Sequence, residues 1–333
     1  MSSSPTPEAP QPGGAAADLP RPEHPRPQFQ RPTWLSLNGP WRFAAGAADD
    51  PRFLVGDGYD DEIIVPFCPE SALSGVSDAT FRDRFETSLW YHRSLVVPRE
   101  WAGGRVVLHF GAVDHDCRVY LDGVRLGGHV GGSSSFTIDL TDHVRFGEAH
   151  ALAVHVHDDP RFGLQAAGKQ STRPSSYHVF YTRVTGIWQS VWLESVPTRS
   201  IETVRQVADA ASGRLTLEPR FAGVAGGDRW RATLSRDDRH VADAEGPALQ
   251  GVPLTLDVAD VRAWSGDDPF LYDLTLELMD EHGEVLDTVA SYCGFRTLAW
   301  VDGRLLLNGA PLYPRFVLDQ GYYPDGIWTA PSD

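Results

Sequence analysis

The chain has 333 residues, 41% of them hydrophobic, and its 45 acidic against 29 basic side chains give a net charge of −16. That apolar content supports packed cores and is too high for a disordered chain, while the length suits two or three domains. The acidic balance excludes a nucleic-acid binder working through a basic face, and no run approaches the ~18 apolar residues of a membrane span.

Residues 1–32 hold nine prolines and few bulky apolar side chains, which predicts a disordered or extended leader. From residue 33 to 197 the pattern is β. Short alternating runs cover 90–98, 105–113, 117–128, 135–144, 150–158 and 187–196, and Asp122-Gly123 marks a hairpin turn. No amphipathic helix of useful length interrupts them, so this stretch reads as a sandwich or jelly roll. A second β series over 198–294, with runs at 213–221, 229–236, 254–258, 271–280 and 284–296, fits an immunoglobulin-like sandwich. After Gly294 come two further hairpin signals, Asp302-Gly303 and Asn308-Gly309, and an apolar run from Leu312 to Leu318.

Several motifs could carry chemistry. The widely spaced Cys68, Cys117 and Cys293 suggest neither disulfides nor a metal knuckle, and read as buried thiols. His155, His157 and Asp159 share one strand face, but His-x-His alone is a weak zinc pattern. With Asp158 they read as a solvated strand face ending in a turn, and Asp114-His115-Asp116 has the same status. Trp188 and Trp192, four apart in a strand-like run, are either an aromatic platform for a sugar or packing residues, the second being the usual fate of large aromatics. No Gly-x-Ser-x-Gly elbow supports a serine hydrolase. No secretory signal is visible, which predicts a cytoplasmic protein.

The order of motifs resembles the N-terminal half of glycoside hydrolase family 2, the group of β-galactosidases, β-glucuronidases and β-mannosidases. The matching segments are LNGPWRF (37–43), WYHRSLVVP (90–98), VVLHFGAVDHDCRVYLDG (106–123), GGHVGGSSSFTIDLT (127–141), GKQ (168–170), TGIWQSVWLESVP (185–197), DPFLYDLTLEL (268–278), GFR (294–296) and LLLNGAPLY (305–313). The resemblance implies a mainly β chain: a jelly-roll sugar-binding domain (33–197), an immunoglobulin-like β-sandwich (198–294), and the first hairpin and strand of a (β/α)8 catalytic barrel (295–333). A whole barrel needs ~250 residues, so this last part is incomplete. Retaining glycoside hydrolysis needs two carboxylates roughly 5–5.5 Å apart. In the family both are glutamates on later barrel strands, the first within an Asn-Glu pair. This sequence contains no Asn-Glu pair, so no catalytic residue is assigned.

The resemblance further implies a carbohydrate, a β-glycoside, as substrate. It calls for no cofactor, no metal site that can be named, no nucleic acid, no membrane, and contact with a barrel that is missing here or separately encoded. With Leu312–Leu318 as the first barrel strand, Asp319 and Gln320 emerge at the catalytic face, where they either bond sugar hydroxyls or cap the strand-to-helix loop. Lys169, the only lysine, stands beside Gln170 in a loop that either touches substrate or merely crosses the surface. Arg183 matches an arginine of the family and is either a substrate contact or a structural ion-pair partner, and the resemblance implies a loop bordering a strand at Asp114-His115-Asp116. Some members carry an aspartate six residues before the glycine at 186; here that position is Phe180. The alternative reading is a stand-alone, non-catalytic carbohydrate-binding β-sandwich protein.

Overall fold

The computed structural model describes residues 19–77 and 81–332, and these are mainly β. They divide into two compact units: residues 19–25, 33–77, 81–195 and 319–332 form the first, and residues 26–32 with 196–318 the second.

The first unit contains β1 (Trp34–Ser36), β2 (Gly39–Ala45), β3 (Asp61–Val65), β4 (Ser88–Val96), β5 (Arg105–Phe110), β6 (Val113–Asp114), β7 (Asp116–Leu121), β8 (Val124–Val130), β9 (Phe136–Asp139), β10 (Ala149–His157), β11 (Gly186–Ile187) and β12 (Val191–Val196). A four-stranded sheet runs β1-β12-β5-β9 and a six-stranded sheet β3-β2-β4-β10-β7-β8, with β11 and β6 as a separate pair. Period-two alternation builds the inner faces: in β7, Cys117, Val119 and Leu121 point inward while Asp116, Arg118 and Tyr120 do not. Leu37, Trp41, Tyr91, Leu108, Phe110 and Val154 belong to the same core. β10 departs from alternation and is buried on both faces from Leu152 to Val156. The cause is the connection between β2 and β3: its Phe53 stacks on Trp90 at 5.3 Å and, with Tyr59, covers Ala44 and Ala153.

The second unit contains β13 (Ser200–Asp209), β14 (Arg214–Ala222), β15 (Arg229–Arg236), β16 (Arg239–Pro247), β17 (Leu254–Asp257), β18 (Tyr272–Met279), β19 (Val285–Cys293), β20 (Leu298–Val301), β21 (Arg304–Leu307) and β22 (Ala310–Pro311). Sheets β13-β14-β17 and β16-β15-β18-β19 enclose one core, and β20-β21-β22 form a small meander. In β18, Tyr272, Leu274, Leu276 and Leu278 alternate inward to meet Trp230 and Phe221. The three hairpin dipeptides read from sequence have positive φ at both residues: Asp122 48° and Gly123 81°, Asp302 48° and Gly303 73°, Asn308 51° and Gly309 81°. Those are the backbone demands of a type I′ turn.

Two expectations need correction. Of the predicted leader, residues 19–32 are packed, and residues 1–18 lie outside the described residues. Asn38 Nδ2 donates to the carbonyls of Pro20 and Arg21, His24 is buried with its ring edge-on to Trp34, and Phe29 belongs to the core of the second unit. Proline-rich chain is already extended and loses little entropy on docking, so a few anchors suffice. The predicted barrel strand Leu312–Leu318 joins no ladder beyond one bond from Leu312 N to Leu305 O, because the described residues offer it no partner strand. It lies exposed, with Phe316, Val317 and Leu318 each at least 86% accessible. No helix among the described residues is long and apolar enough to cross a membrane.

Candidate functional site

The connection from β10 to β11 (residues 158–185) and the last described segment (319–332) meet in the first unit, and both carry the residues singled out from sequence. Gln170 is buried, and both ends of its amide are engaged: Nε2 donates to Asp114 Oδ2 at 2.8 Å, and Oε1 accepts from Val184 N at 2.8 Å. It ties the loop to β6. Neighbouring Lys169 points into solvent. Arg183 is 1% exposed and paired with Glu70, Nε to Oε1, at 3.1 Å. Its Nη1 donates to Glu86 O at 2.6 Å, and the guanidinium lies 4.0 Å from the Phe85 ring centroid. Asp319 is exposed and accepts from Gly321 N at 2.8 Å, closing its own turn; Gln320 is half-buried, with Oε1 facing no hydrogen-bond partner. Gln170 and Arg183 thus act on one loop, and Asp319 and Gln320 come in on another segment.

That segment docks through aromatic rings. Tyr322 stacks on Tyr181 at 4.1 Å and Trp328 meets Trp188 edge-on at 5.0 Å. Cys68, Val184 and Ile327 pack beneath them. Ser71 Oγ and Ala72 N both donate to Asp325 O, at 2.6 and 3.0 Å, and Thr329 Oγ1 donates to Trp188 O at 2.6 Å. All three cysteines are buried and free. Trp192 is buried, stacked with His109 at 4.7 Å and donating to Glu194 at 2.8 Å. Trp188, in the turn before β12, is half-buried and donates to Gly132 O at 2.7 Å.

Sequence reasoning missed a set of buried acids beneath this surface. Glu70 also accepts from Thr185 N and Oγ1 at 3.2 and 2.7 Å. Burial raises its pKa, and Arg183 and Thr185 only partly oppose that. Burial pushes Asp114 up to about 6, against the hydrogen bond from Gln170, with the charge of Glu70 adding to the rise. Asp158 has no exposed surface; burial first, then the charge of Asp114, pushes it up to about 8. Its Oδ1 accepts from Gln165, while Oδ2 has no hydrogen-bond partner. The expected solvated face at 155–159 is therefore corrected. His155 is buried too, with its ring 4.8 Å from Trp90 and Nε2 2.9 Å from Ser88 Oγ, and burial lowers its pKa to about 4. Of His155, His157, Asp158 and Asp159, only His157 and Asp159 keep appreciable accessible surface, and Asp159 pairs with Arg161 at 2.7 Å. Asp114 likewise is a buried strand residue, not part of a loop. The available clue was the apolar residues on both faces of Ala151–Val156, which mark a strand covered on two sides. Among the described residues, no group of three or more His, Cys, Asp or Glu side chains is arranged to hold a metal ion.

Gly186, at φ 79°, sits under the Tyr91 hydroxyl, and a Cβ there would lie 2.1 Å from that oxygen. Gly186→Ala is expected to destabilise the first unit by about 1–3 kcal/mol, from left-handed strain and overpacking; a urea titration checks this.

Two family models match the chain, "Glycosyl hydrolases family 2, sugar binding domain" over residues 72–197 and "Glycosyl hydrolases family 2" over 223–296, together more than half of it. The chain is 26% identical over 290 residues to a β-glucuronidase of Paenibacillus borealis, covering 83% of this chain and 48% of that protein. It is 26% identical over 265 residues to a β-galactosidase of Thermoanaerobacter pseudethanolicus, covering 73% and 34%. The crystal structure of Ruminococcus gnavus β-glucuronidase superposes with a TM-score of 0.74 at 20% identity, over 91% of this chain and 51% of that one. The chain thus spans between about a third and about half of the length of these relatives. Its two sandwiches, its motif order and both family models agree: the chain belongs to glycoside hydrolase family 2.

Proposed function

We propose that this chain provides the non-catalytic, N-terminal part of an exo-acting, retaining β-glycosidase, and that residues 1–333 alone do not hydrolyse substrate. The observation that carries this reading is the stretch 312–318. It is apolar, exposed and without a ladder partner, at the place where the family resemblance puts the first barrel strand. A carboxylate pair set ~5–5.5 Å apart on barrel strands has no counterpart among the described residues, which contain no barrel. The names of the relatives support a β-glucuronide or β-galactoside as the substrate class. In this reading Asp319, Gln320 and Lys169 border the substrate, and Gln170 and Arg183 hold the loop that carries Lys169.

The test is turnover of aryl β-glucuronides and β-galactosides by the purified 333-residue chain. No rate above the buffer blank is expected; a rate that follows the protein through purification would overturn the proposal. A second reading, sugar binding without catalysis, is favoured by the half-exposed and mutually packed Tyr181, Tyr322, Trp188 and Trp328, since aromatic faces suit sugars. Calorimetric titration with galactose and glucuronic acid separates the two: saturable heat that disappears in Tyr322→Ala favours the second.

A further inference from the structure

Three buried carboxyls, Glu70, Asp114 and Asp158, share the interior of the first unit with one buried guanidinium, Arg183. Fully ionised, the cluster carries a surplus of two negative charges. Isolated buried charge is strongly disfavoured, and such groups neutralise by binding protons. The geometry shows where a proton is wanted. Asp158 Oδ2 and Asp114 Oδ1 are buried acceptors without a hydrogen-bond partner. Protonation at Asp158 removes an unsolvated charge and leaves its bond from Gln165 in place.

The same backbone that holds these acids makes the floor under segment 319–332. Glu70 lies between Cys68, which packs on Ile327, and Ser71, which holds the Asp325 carbonyl. Arg183 precedes Val184, also packed on Ile327. Gln170, bonded to Asp114, bridges to Tyr181, whose ring carries Tyr322. We propose that the Glu70–Asp114–Asp158–Arg183 cluster is a proton-controlled clasp: with a proton on the Asp158 carboxyl segment 319–332 stays docked, and without it the segment releases.

The groups facing Asp158 are Asp114 on β6, Glu70 in the connection after β3, Arg183 ahead of β11, Tyr91 on β4 and Gln165 in its own loop; Tyr322 adds its hydroxyl near Asp114 from the segment itself. Only Arg183 among them is cationic, and Glu70 already engages it. The sign follows from linkage. A carboxyl whose pKa is raised by folding contributes stability at low pH and loses it as pH climbs through the folded pKa. Docking therefore weakens from mildly acidic pH to above pH 8.

Amide hydrogen exchange of the 333-residue chain at pH 5.5 and 8.5, corrected for intrinsic rates, tests this. Protection at Ile327 and Thr329 is expected to fall about tenfold or more at pH 8.5, while amides of β18 keep theirs. Asp158→Asn, which mimics the protonated acid, is expected to hold the pH 5.5 protection at pH 8.5. Equal protection at both pH values, or an Asp158→Asn protein that loses protection as the wild type does, overturns the clasp. Carbon-13 titration of the wild-type side-chain carboxyls gives a second reading that needs no variant. At least one aspartate should titrate above pH 6.5, and a full set titrating below pH 6 would also overturn it.

Discussion

Glu70→Ala is expected to cost the first unit about 3–5 kcal/mol, among the largest losses for a single substitution in the chain. The pair it breaks is almost dry, with side-chain exposures of 1% for Glu70 and 2% for Arg183. Without the carboxylate, Arg183 keeps the bond from Nη1 to Glu86 O, its contact with the Phe85 ring and the weaker influence of Asp158. Its Nη2 already lacks a hydrogen-bond partner, and Thr185 loses the acceptor for both its amide and its hydroxyl. The loss measures a stranded charge and not the intrinsic strength of the pair. Burial raises the Glu70 pKa despite the guanidinium beside it, so desolvation outweighs their attraction. The double variant Glu70→Met with Arg183→Met should therefore recover most of the stability lost in Glu70→Ala. The check is a pair of urea titrations at pH 7; a double variant as unstable as the single one would show that the hydrogen bonds, and not the buried charge, dominate.

What was legible in the sequence was whatever period-two patterning and turn chemistry encode. The inward residues of β7 and β18 follow directly from alternation, and the three Asp-Gly or Asn-Gly turns fall where those dipeptides stand. The turn between β15 and β16 escaped, because Asp237 and Asp238 supply its positive φ values of 51° and 60° without a glycine. Buried acids escaped for a different reason. A charged residue at a strand end is ordinarily solvated, and only the tertiary cover over β10 and β6 reverses that for Asp158 and Asp114. Arg183 was legible as either contact or ion-pair residue, and the choice depended on Glu70, more than a hundred positions away. The stretch 312–318 shows the opposite limit: its composition suits a buried strand, but a strand exists only when another supplies its ladder.

The N-terminal segment gives the second large effect. Arg31 is 6% exposed and forms a fork on Asp287, Nε to Oδ1 at 3.0 Å and Nη2 to Oδ2 at 2.9 Å, while Nη2 also donates to Ile201 O at 2.6 Å. Asp287 is itself buried and accepts from Ile201 N at 2.9 Å. The arginine thus satisfies one carboxylate and one carbonyl inside the second unit from a segment whose composition reads as unfolded. Arg31→Ala is expected to cost about 3–5 kcal/mol, because it leaves the Asp287 charge buried without its cation. Arg31→Lys should recover only part of this, since an ammonium cannot reproduce the two-pronged geometry. A chain beginning at Thr33 should lose more than Arg31→Ala, because it also removes Phe29 from the core and the backbone pairing of Gln30 with Ala290. Urea midpoints, read by fluorescence, should fall from Arg31→Lys through Arg31→Ala to the chain beginning at Thr33. If the chain beginning at Thr33 melts as the full chain does, residues 26–32 are an ornament on the sandwich; the expected order makes them its eighth strand in all but length, fixed by one guanidinium and one phenyl ring.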